Sequence, residues 1–412
     1  MSPPLLLVDP PRDAWWPLAS TRPVADLLAG TRTFRARWGE RHGPVATLLC
    51  DPEVEACAFR PGPPPAVNVW PATEAGWRIA SPAWIPPADW RFGDRPAVHL
   101  CAGEPVGWRI DAAAARRLAA GEPAAPAARA ALAALDLPAV EAGGRRVASV
   151  WSLVHANGEI LRDDEADFGG GPLDPGGRSV VLGGGVRSRG EVRVDPFVVL
   201  DAREGPILLD RGVQVGSQAL LRGPLYVGPG TRILGGAVGE ASSFGPRCKL
   251  RGEVEASIFL GFANKAHEGF VGHSVVGEWA NLGAGTTTSD LKNTYGAVRV
   301  TGPGGRVETG LLKAGSFLGD HVRTGIGALL TTGARLGTAT HFFGGRGVSP
   351  DWLPAFTWFD GVRREPVRLE EFLGSARLAM ARREQELEPG EEAILRALAA
   401  CSSPTPDANL GV

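Results

Sequence analysis

Cysteine is scarce in this sequence, and its copies form no recognisable pattern. Their number is odd, no two of them make a C-x-x-C pair, and they are scattered as Cys50, Cys57, Cys101, Cys248 and Cys401. Disulfide-stapled domains and zinc ribbons both require paired, regularly spaced cysteines. The sequence therefore indicates neither.

A long apolar run and an excess of charge are also lacking. No stretch approaches the roughly 18 apolar residues that a membrane-spanning helix needs, and the N-terminal segment has no basic residue ahead of its short apolar run. The 43 basic and 45 acidic side chains nearly cancel, so no charged surface for nucleic acid or an anionic membrane is expected. We expect a cytoplasmic protein with neither partner.

Glycine and proline, in contrast, are abundant. The 56 glycines and 35 prolines make up about a fifth of the 412 residues, against an average usage of roughly 12 per cent, and they follow no collagen-like period. Turn-rich β structure is the simplest cause. Because the chain is too long for one ordinary core, we predict three parts: an α/β domain over 1–175, a solenoid over 176–350 and a helical tail over 351–412.

The first part has mixed α/β patterning. We predict a strand at Leu5–Val8, a helix near Val24–Gly39 and a second helix at Asp111–Leu135. The acidic run Asp163–Asp167 is interpreted as a solvated linker, with a Mg²⁺ site as the alternative. The glycine-rich segment that follows marks the domain boundary.

A six-residue repeat governs the second part. Aliphatic side chains recur at this spacing, whereas a helix repeats at about 3.6 residues and a strand at 2; they are Leu209, Val215, Leu221, Val227 and Ile233. Aliphatic-glycine pairs such as Val227-Gly228 support a hexapeptide β-helix, with a glycine-rich β-sandwich as the less favoured alternative. The repeat lapses between Thr286 and Leu318, which predicts an inserted loop, and from Leu369 the pattern becomes helical.

The densest group of reactive side chains lies inside this repeat. It comprises Asn264, Lys265, His267, Glu268, Asn281, Asp290, Lys292, Asn293 and Tyr295. A histidine in a polar slot of a solenoid suits general-base catalysis, because its ordinary pKa lies near neutrality. The competing interpretation is that His267 only serves the structure.

Zinc is the alternative ligand for the histidines of this part. Four are available, namely His267, His273, His321 and His341, but zinc needs at least three converging ligands. The six-residue spacing of His267 and His273 places them on neighbouring faces rather than side by side, so we favour base catalysis over metal hydration. P-loop, H-E-x-x-H and G-x-S-x-G motifs are absent.

Segment 261–337 resembles the GlmU-type sugar-nucleotide enzymes. The resemblance rests on N-K-A-H-E-G-F-V-G-H-S-V-V-G-E-W-A-N-L-G-A-G-T and on F-L-G-D-H-V-R-T-G-I. The sequence is most similar to an alternative bacterial branch, UDP-N-acetylglucosamine diphosphorylase/glucosamine-1-phosphate N-acetyltransferase, whose N-terminal pattern resembles P-L-A-S-T-R-P-V-A-D-L at Pro17–Leu27. The likeness covers essentially the whole chain and is most specific over the solenoid.

This resemblance implies a fold and a set of site residues. The fold is a Rossmann-like nucleotidyltransferase domain followed by a left-handed parallel β-helix that forms a homotrimer, with acetyl-CoA bound between subunits. His267 falls on the catalytic histidine of the family. Sugar phosphate or pantetheine would contact Lys265, Asn281, Asp290, Lys292, Asn293 and Tyr295, with Lys292 as the phosphate partner. The coenzyme would lie along Gly319, Asp320, Gly337 and Thr338.

The sequence departs from the classical family pattern at two places. Phe270 stands where the classical proteins have tyrosine, which removes a hydroxyl near the substrate. The phosphate loop L-x-x-G-x-G-T-R-M is missing, so Arg12 or Arg22 would neutralise the nucleotide triphosphate. Asn157 falls in a family segment that would contact sugar or metal, and the ligands of Mg²⁺ are not identified.

Three functions follow as hypotheses. The leading one is a bifunctional enzyme that acetylates glucosamine 1-phosphate with acetyl-CoA and then transfers a uridylyl group from UTP with Mg²⁺. The second is a sugar-1-phosphate nucleotidyltransferase alone, using UTP or dTTP, whose solenoid serves only as a trimerisation scaffold. The third is a non-catalytic trimer that binds a nucleotide sugar.

Overall fold

The computed structural model describes residues 2–57, 64–344 and 347–402. The chain divides into two units, each with its own hydrophobic core. The first comprises Met1–Trp15, Ala19–Leu27 and Arg32–Ser149, and the second comprises Trp16–Leu18, Leu28–Thr31 and Val150–Val412. Residues 150–175, which the predicted boundary assigns to the α/β domain, therefore lie in the second unit.

The first unit is built on a seven-stranded sheet. One of its interior strands, Leu5–Val8, is fully apolar and buried, as the sequence predicts, and it pairs in parallel with a neighbour on each side. One strand, Glu104–Ile110, runs antiparallel to both neighbours. The spatial order is Ala139–Glu141, Ala97–Cys101, Glu104–Ile110, Trp77–Ala80, Leu5–Val8, Val45–Leu49 and Ala66–Val67. The unit also contains the strands Arg32–Thr33, Trp84–Ile85 and Arg145–Arg146.

The helices of this unit differ from the predicted ones. Within the predicted helix near Val24–Gly39, the chain forms a 3-10 turn at Val24–Asp26. Helix α1 begins only at Phe34 and spans Phe34–His42. Gly30 adopts a left-handed conformation (φ 68°) that interrupts any helix, and Thr33 then caps α1 by accepting a hydrogen bond from the Ala36 amide.

The predicted helix Asp111–Leu135 is two helices, α2 (Ala112–Ala119) and α3 (Ala125–Ala133). Asp111 caps α2 through the Ala114 amide at 2.8 Å. Gly121 and Pro123 lie between the two helices, and both residue types oppose helix continuation. The remaining 3-10 turns are Asp13–Trp15, Leu18–Ser20 and Pro52–Val54.

The second unit begins with helix α4 (Val150–Phe168). The linker interpretation of Asp163–Asp167 is wrong, because these residues form the last turns of α4. Asp164 is fully buried and accepts hydrogen bonds from the Thr31 amide and hydroxyl, both at 2.9 Å. The short strand Leu28–Ala29 belongs to this unit as well.

A parallel β-helix of three stacked sheets follows α4. Face A has ten strands: Gly171–Pro172, Val186–Ser188, Ile207–Leu209, Leu225–Val227, Ser242–Phe244, Ile258–Phe259, Val275–Val276, Phe317–Leu318, Arg335–Leu336 and Trp352–Leu353. Face B has Val180–Leu182, Val199–Asp201, Ala219–Arg222, Gly236–Gly239, Glu253–Glu255 and Phe270–Gly272, and then the pair Thr287–Thr288 and Leu329–Leu330. Face C has Arg193–Val194, Gln214–Val215, Arg232–Ile233, Lys249–Leu250 and Asn264–Lys265, and then Arg323–Thr324, His341–Phe342, Thr357–Phe359 and Arg364–Pro366. Bridges through Asn281 join the two parts of face C.

The six-residue repeat builds the core of this β-helix. Its five aliphatic residues occupy faces A, C, B, A and C in turn, and all of them are buried in one cluster. Each repeat therefore covers one face of the coil, and three repeats close one turn. The β-sandwich alternative is excluded, because neighbouring strands are parallel from coil to coil.

The predicted interruption is an inserted loop. Leu225 pairs with Ser242 on the next coil, whereas Val275 pairs with Phe317, and the extra chain between them contains a β-hairpin. The hairpin strands are Arg299–Gly302 and Gly305–Glu308. We call residues 289–316 the inserted loop.

The helical tail matches its sequence pattern. Helix α5 spans Leu369–Ala381, and helix α6 spans Pro389–Cys401. Buried Phe372 and Leu373 of α5 pack with Phe356 of the β-helix. The last part of the predicted tail, 403–412, lies outside the described residues. Over the described chain, every helix is too short or too polar to cross a membrane.

Candidate functional site

His267 lies at an exposed corner between face C and face B. It follows the strand Asn264–Lys265 and precedes the strand Phe270–Gly272. The chain turns this corner at Gly269 (φ 128°), where a Cβ atom would collide with the backbone oxygen of Thr286 on the next coil. The close stacking of coils therefore requires glycine here and leaves the His267 side chain in solvent.

Lys265 supports this corner from inside. Its residue is only 2% exposed, and its Nζ donates hydrogen bonds to the backbone oxygens of Arg251 (2.7 Å) and His267 (3.0 Å). Burial lowers the pKa of the Lys265 ammonium to about 8, and the charge of Glu268 opposes that shift. These contacts direct the ammonium to the backbone of the corner, whereas the sequence predicts a contact with substrate.

Asn281 continues face C beside the same corner. It is exposed, and its Oδ1 accepts a hydrogen bond from Nδ2 of Asn264 at 2.6 Å. Glu268, next to His267, forms an ion pair with Arg251 at 2.7 Å. The face C side of the corner thus carries amide and charged groups in an otherwise aliphatic solenoid.

The other predicted substrate contacts lie on the inserted loop. Asn293 and Tyr295 are exposed, and the Lys292 ammonium donates to the backbone oxygen of Ala297. Asp290 is buried, and its Oδ2 lies 2.8 Å from Nδ1 of His273. The loop therefore presents Asn293 and Tyr295 to solvent, whereas Lys292 is half-buried and Asp290 belongs to a separate cluster.

The residues predicted to lie along the coenzyme occupy two consecutive coils. Gly319 and Asp320 follow the strand Phe317–Leu318, and Gly337 and Thr338 follow the strand above it. A Cβ atom on Gly319 would lie 2.7 Å from the Thr338 amide, so the two pairs stack directly on each other. Asp320 accepts a hydrogen bond from the Glu278 amide at 2.7 Å.

In the first unit, the predicted triphosphate contacts follow the strand Leu5–Val8 of the sheet. Ligands bind in such sheets beyond the carboxyl ends of parallel strands, where the strand order reverses, and Leu5–Val8 is that strand here. Arg12 forms an ion pair with Glu53 at 2.6 Å and donates to the backbone oxygen of Ala19 at 3.0 Å. Arg22 is partly buried in the same connection.

Asp9 is the first residue after that strand and is fully buried. Its carboxylate accepts hydrogen bonds from the Val24 and Ala25 amides at 2.8 and 3.1 Å. Burial nonetheless dominates and raises the pKa of Asp9 to about 7, with the negative charges of Asp26 and Asp51 acting in the same direction. The sequence did not single out this carboxyl group.

Asn157 lies on α4 and is fully buried. Its Oδ1 accepts from the Gly30 amide at 2.9 Å, and its Nδ2 donates to the Ala241 backbone oxygen and to Ser243 Oγ at 2.8 and 2.9 Å. These bonds tie α4 to the β-helix. Contact of this amide with sugar or metal stays a prediction.

Sequence reasoning missed a cluster at the base of the inserted loop. Among the described ranges of the chain, one set of three ligand-type side chains converges within 4.8 Å, and it consists of Glu255, His273 and Asp290. Lys313 lies 3.7 Å from Glu255 and 3.8 Å from Asp290. Burial opposes ionisation of Asp290, but the hydrogen bond from His273 and the charges of His273 and Lys313 hold its pKa below the usual value.

Comparison with known proteins gives partial matches. No protein-family model matches the chain. A bifunctional sugar-1-phosphate nucleotidylyltransferase/acetyltransferase of Sulfurisphaera tokodaii is 35% identical over 99 residues, which are 24% of this chain and 25% of the relative. The bifunctional protein GlmU of Methanocaldococcus jannaschii is 36% identical over 86 residues, 21% of each chain. Parts of this chain are thus similar to GlmU-type proteins.

A longer match confirms the relationship. The bifunctional protein GlmU of Stenotrophomonas maltophilia is 31% identical over 176 residues, which are 37% of this chain and 38% of that protein. The chain thus spans between about a fifth and two fifths of the length of these GlmU-type relatives. The resemblance stated from the sequence is confirmed at this level.

Proposed function

We propose that the protein is a bifunctional enzyme of amino-sugar nucleotide synthesis. The observation that carries this proposal is that one partial relative is named a bifunctional sugar-1-phosphate nucleotidylyltransferase/acetyltransferase, and that others are named bifunctional protein GlmU. Two features support it: an exposed histidine corner on the solenoid, and two arginines in the connection after the strand Leu5–Val8 of the α/β sheet. We further propose a cytoplasmic homotrimer with a left-handed β-helix.

The first reaction is acetylation of glucosamine 1-phosphate. The amine nitrogen attacks the thioester carbonyl of acetyl-CoA, the new C–N bond forms, and the C–S bond breaks to release CoA. His267 accepts the proton that the amine loses, a transfer typically worth about 10²–10⁴-fold in rate. Lys265 holds the backbone of the corner, so it positions His267 rather than touching the substrate.

We assign the two substrates of this reaction to the surfaces on either side of His267. We place the sugar phosphate against Asn281 and the exposed inserted loop, with Lys292 as its cationic partner. Asn293 and Tyr295 lie on the same loop. The coenzyme is placed along the two stacked coils that begin with Gly319 and Gly337, where Asp320 and Thr338 follow.

The second reaction is uridylyl transfer from UTP. An oxygen of the sugar 1-phosphate attacks the α-phosphorus, and pyrophosphate leaves. Catalysis of this type depends on positioning and on positive charge around the phosphates, which Arg12 and Arg22 supply. Mg²⁺ would add charge there, and Asp51, which follows the strand next to Leu5–Val8, offers carboxylate oxygens for it, whereas both oxygens of Asp9 accept hydrogen bonds from the Val24 and Ala25 amides.

Variants that disable one site at a time test the proposal. The full chain is incubated with acetyl-CoA and glucosamine 1-phosphate, and CoA release is followed with a thiol reagent. His267→Ala should lower this rate by at least about 100-fold while leaving pyrophosphate release from UTP and N-acetylglucosamine 1-phosphate unchanged. Arg22→Ala should have the converse effect.

The alternatives predict other outcomes. Pyrophosphate release without CoA release, for UTP or dTTP, would replace the proposal with a nucleotidyltransferase on a scaffold. Calorimetric binding of a nucleotide sugar without any turnover would indicate the non-catalytic trimer. Unchanged acetylation by His267→Ala would overturn the proposed mechanism.

A further inference from the structure

The cluster at the base of the inserted loop is not used by the proposed reactions. Its residues come from three different coils and both ends of the loop: Glu255 ends a face B strand, His273 follows the next one, and Asp290 and Lys313 lie where the loop leaves and returns. The side chains of His273 and Asp290 are only 14% and 12% exposed. A largely buried set of charged groups at one point calls for a functional or structural reason.

The distances suit a metal ion. The Nδ1 atom of His273 and Oδ2 of Asp290 are 2.8 Å apart, and a separation larger by about 0.6 Å would give the roughly 3.4 Å between two tetrahedral ligands with bonds of about 2.1 Å. Glu255 offers a third ligand atom within 4.8 Å of both. One imidazole and two carboxylates form a donor set that suits zinc and similar transition metals, with a position left for water.

Lys313 explains how the cluster is balanced without a metal. Two carboxylates carry two negative charges, and the Lys313 ammonium lies within 4 Å of each. Its side chain is 44% exposed, so it can swing into solvent. A divalent ion would then take the place of the hydrogen bond between His273 and Asp290 and of the ammonium.

We propose that Glu255, His273 and Asp290 form a binding site for a divalent transition-metal ion, for which Lys313 substitutes as a counter-ion. A bound ion would fix the base of the inserted loop to the β-helix. The two ends of the loop already pair with each other there, since Leu291 and Lys313 form an antiparallel bridge and the Ala314 amide donates to the backbone oxygen of Asp290 at 2.9 Å. The His155 ring packs 5.6 Å from His273 and encloses it from α4.

Metal titration of the full chain tests this proposal. After dialysis against a chelator, Zn²⁺ binding is measured by calorimetry, and Co²⁺ binding by its visible absorption. We expect one ion per chain. His273→Gln should weaken binding by at least about 100-fold, since loss of even an outer partner typically costs 10–100-fold. Lys313→Met should strengthen it by at least about tenfold, because a competing charge is removed.

Glu253→Gln is the matched control. Glu253 lies on the same strand as Glu255, two residues earlier and exposed, so its loss should leave metal affinity unchanged. Absence of binding at 100-fold excess of metal over protein would overturn the proposal. So would binding that survives in His273→Gln, since it would mark other ligands such as the exposed Cys401, or affinity that does not rise in Lys313→Met.

Discussion

The ammonium of Lys265 donates a hydrogen bond to the backbone oxygen of His267, two residues further along the chain. The same ammonium reaches Arg251 on the preceding coil. A single buried side chain thus joins two coils at the corner that carries the candidate base. The position of His267 depends on a group that itself lies inside the solenoid.

Removal of Lys265 should therefore slow acetyl transfer. In Lys265→Met the two backbone oxygens lose their donor and the corner loosens, so kcat should fall about 10- to 100-fold with a smaller change in KM. Steady-state kinetics of CoA release measures both constants. An unchanged kcat would show that the corner is held by the coil alone.

The pH dependence of stability gives a second test of Lys265. Its pKa is about 8 in the folded protein, against 10.5 when unfolded, so the unfolded chain binds the extra proton between these values. Stability of the wild type relative to Lys265→Met should rise by about 2 kcal/mol from pH 7.5 to 9.5. Urea unfolding at both pH values measures it, and Lys292→Met, at a less buried lysine, serves as the control. If the stability difference between the wild type and Lys265→Met were the same at both pH values, the pKa of Lys265 would not be lowered in the folded protein.

Asp9 should show the opposite trend. Its folded pKa of about 7 lies above the usual 3.8, so the folded protein holds the proton more tightly and stability falls as pH rises between these values. Relative to Asp9→Asn, the wild type should lose on the order of 4 kcal/mol between pH 4 and 7.5. Denaturant unfolding across this range is the measurement. Asp89→Asn, at an exposed carboxyl group, should show no such trend.

Asn157→Ala should destabilise the second unit. The substitution leaves the Gly30 amide and the Ala241 backbone oxygen without their partner in a buried place, and each such loss costs about 1–3 kcal/mol. We expect a total of about 2–4 kcal/mol by urea unfolding. Asn293→Ala, on the exposed loop, should change stability by less than about 0.5 kcal/mol. A comparably small effect at Asn157 would mean that water replaces its bonds.

Gly245→Ala should disrupt the stacking of coils. A Cβ atom there would collide with the backbone oxygen of Leu260 on the next coil, which cannot move without breaking the ladder. We expect a loss of about 1–3 kcal/mol or more. At Gly184 a Cβ atom meets no other atom within 4 Å, so Gly184→Ala should be nearly neutral. Thermal unfolding of the two variants gives the comparison, and equal melting temperatures would contradict the tight contact.

Several elements were predictable because local chemistry decides them. The strand Leu5–Val8 is continuously apolar, and the start of α6 at Pro389 uses a residue suited to the first helical turn. The helix predicted near Val24–Gly39 was wrong, because composition was weighed without the turn at Gly30. The break between α2 and α3 was missed, although Gly121 and Pro123 in the sequence predict it.

The six-residue period by itself determined the β-helix, since a side chain that recurs once per face must point inward on every face. It also placed His267 in a polar slot between the aliphatic positions. Only the tertiary structure decided the hydrogen-bond partners of the polar side chains. Lys265 turned inward to the backbone and Asp290 paired with His273, because contacts between coils depend on residues that a closing loop brings together from distant positions in the chain.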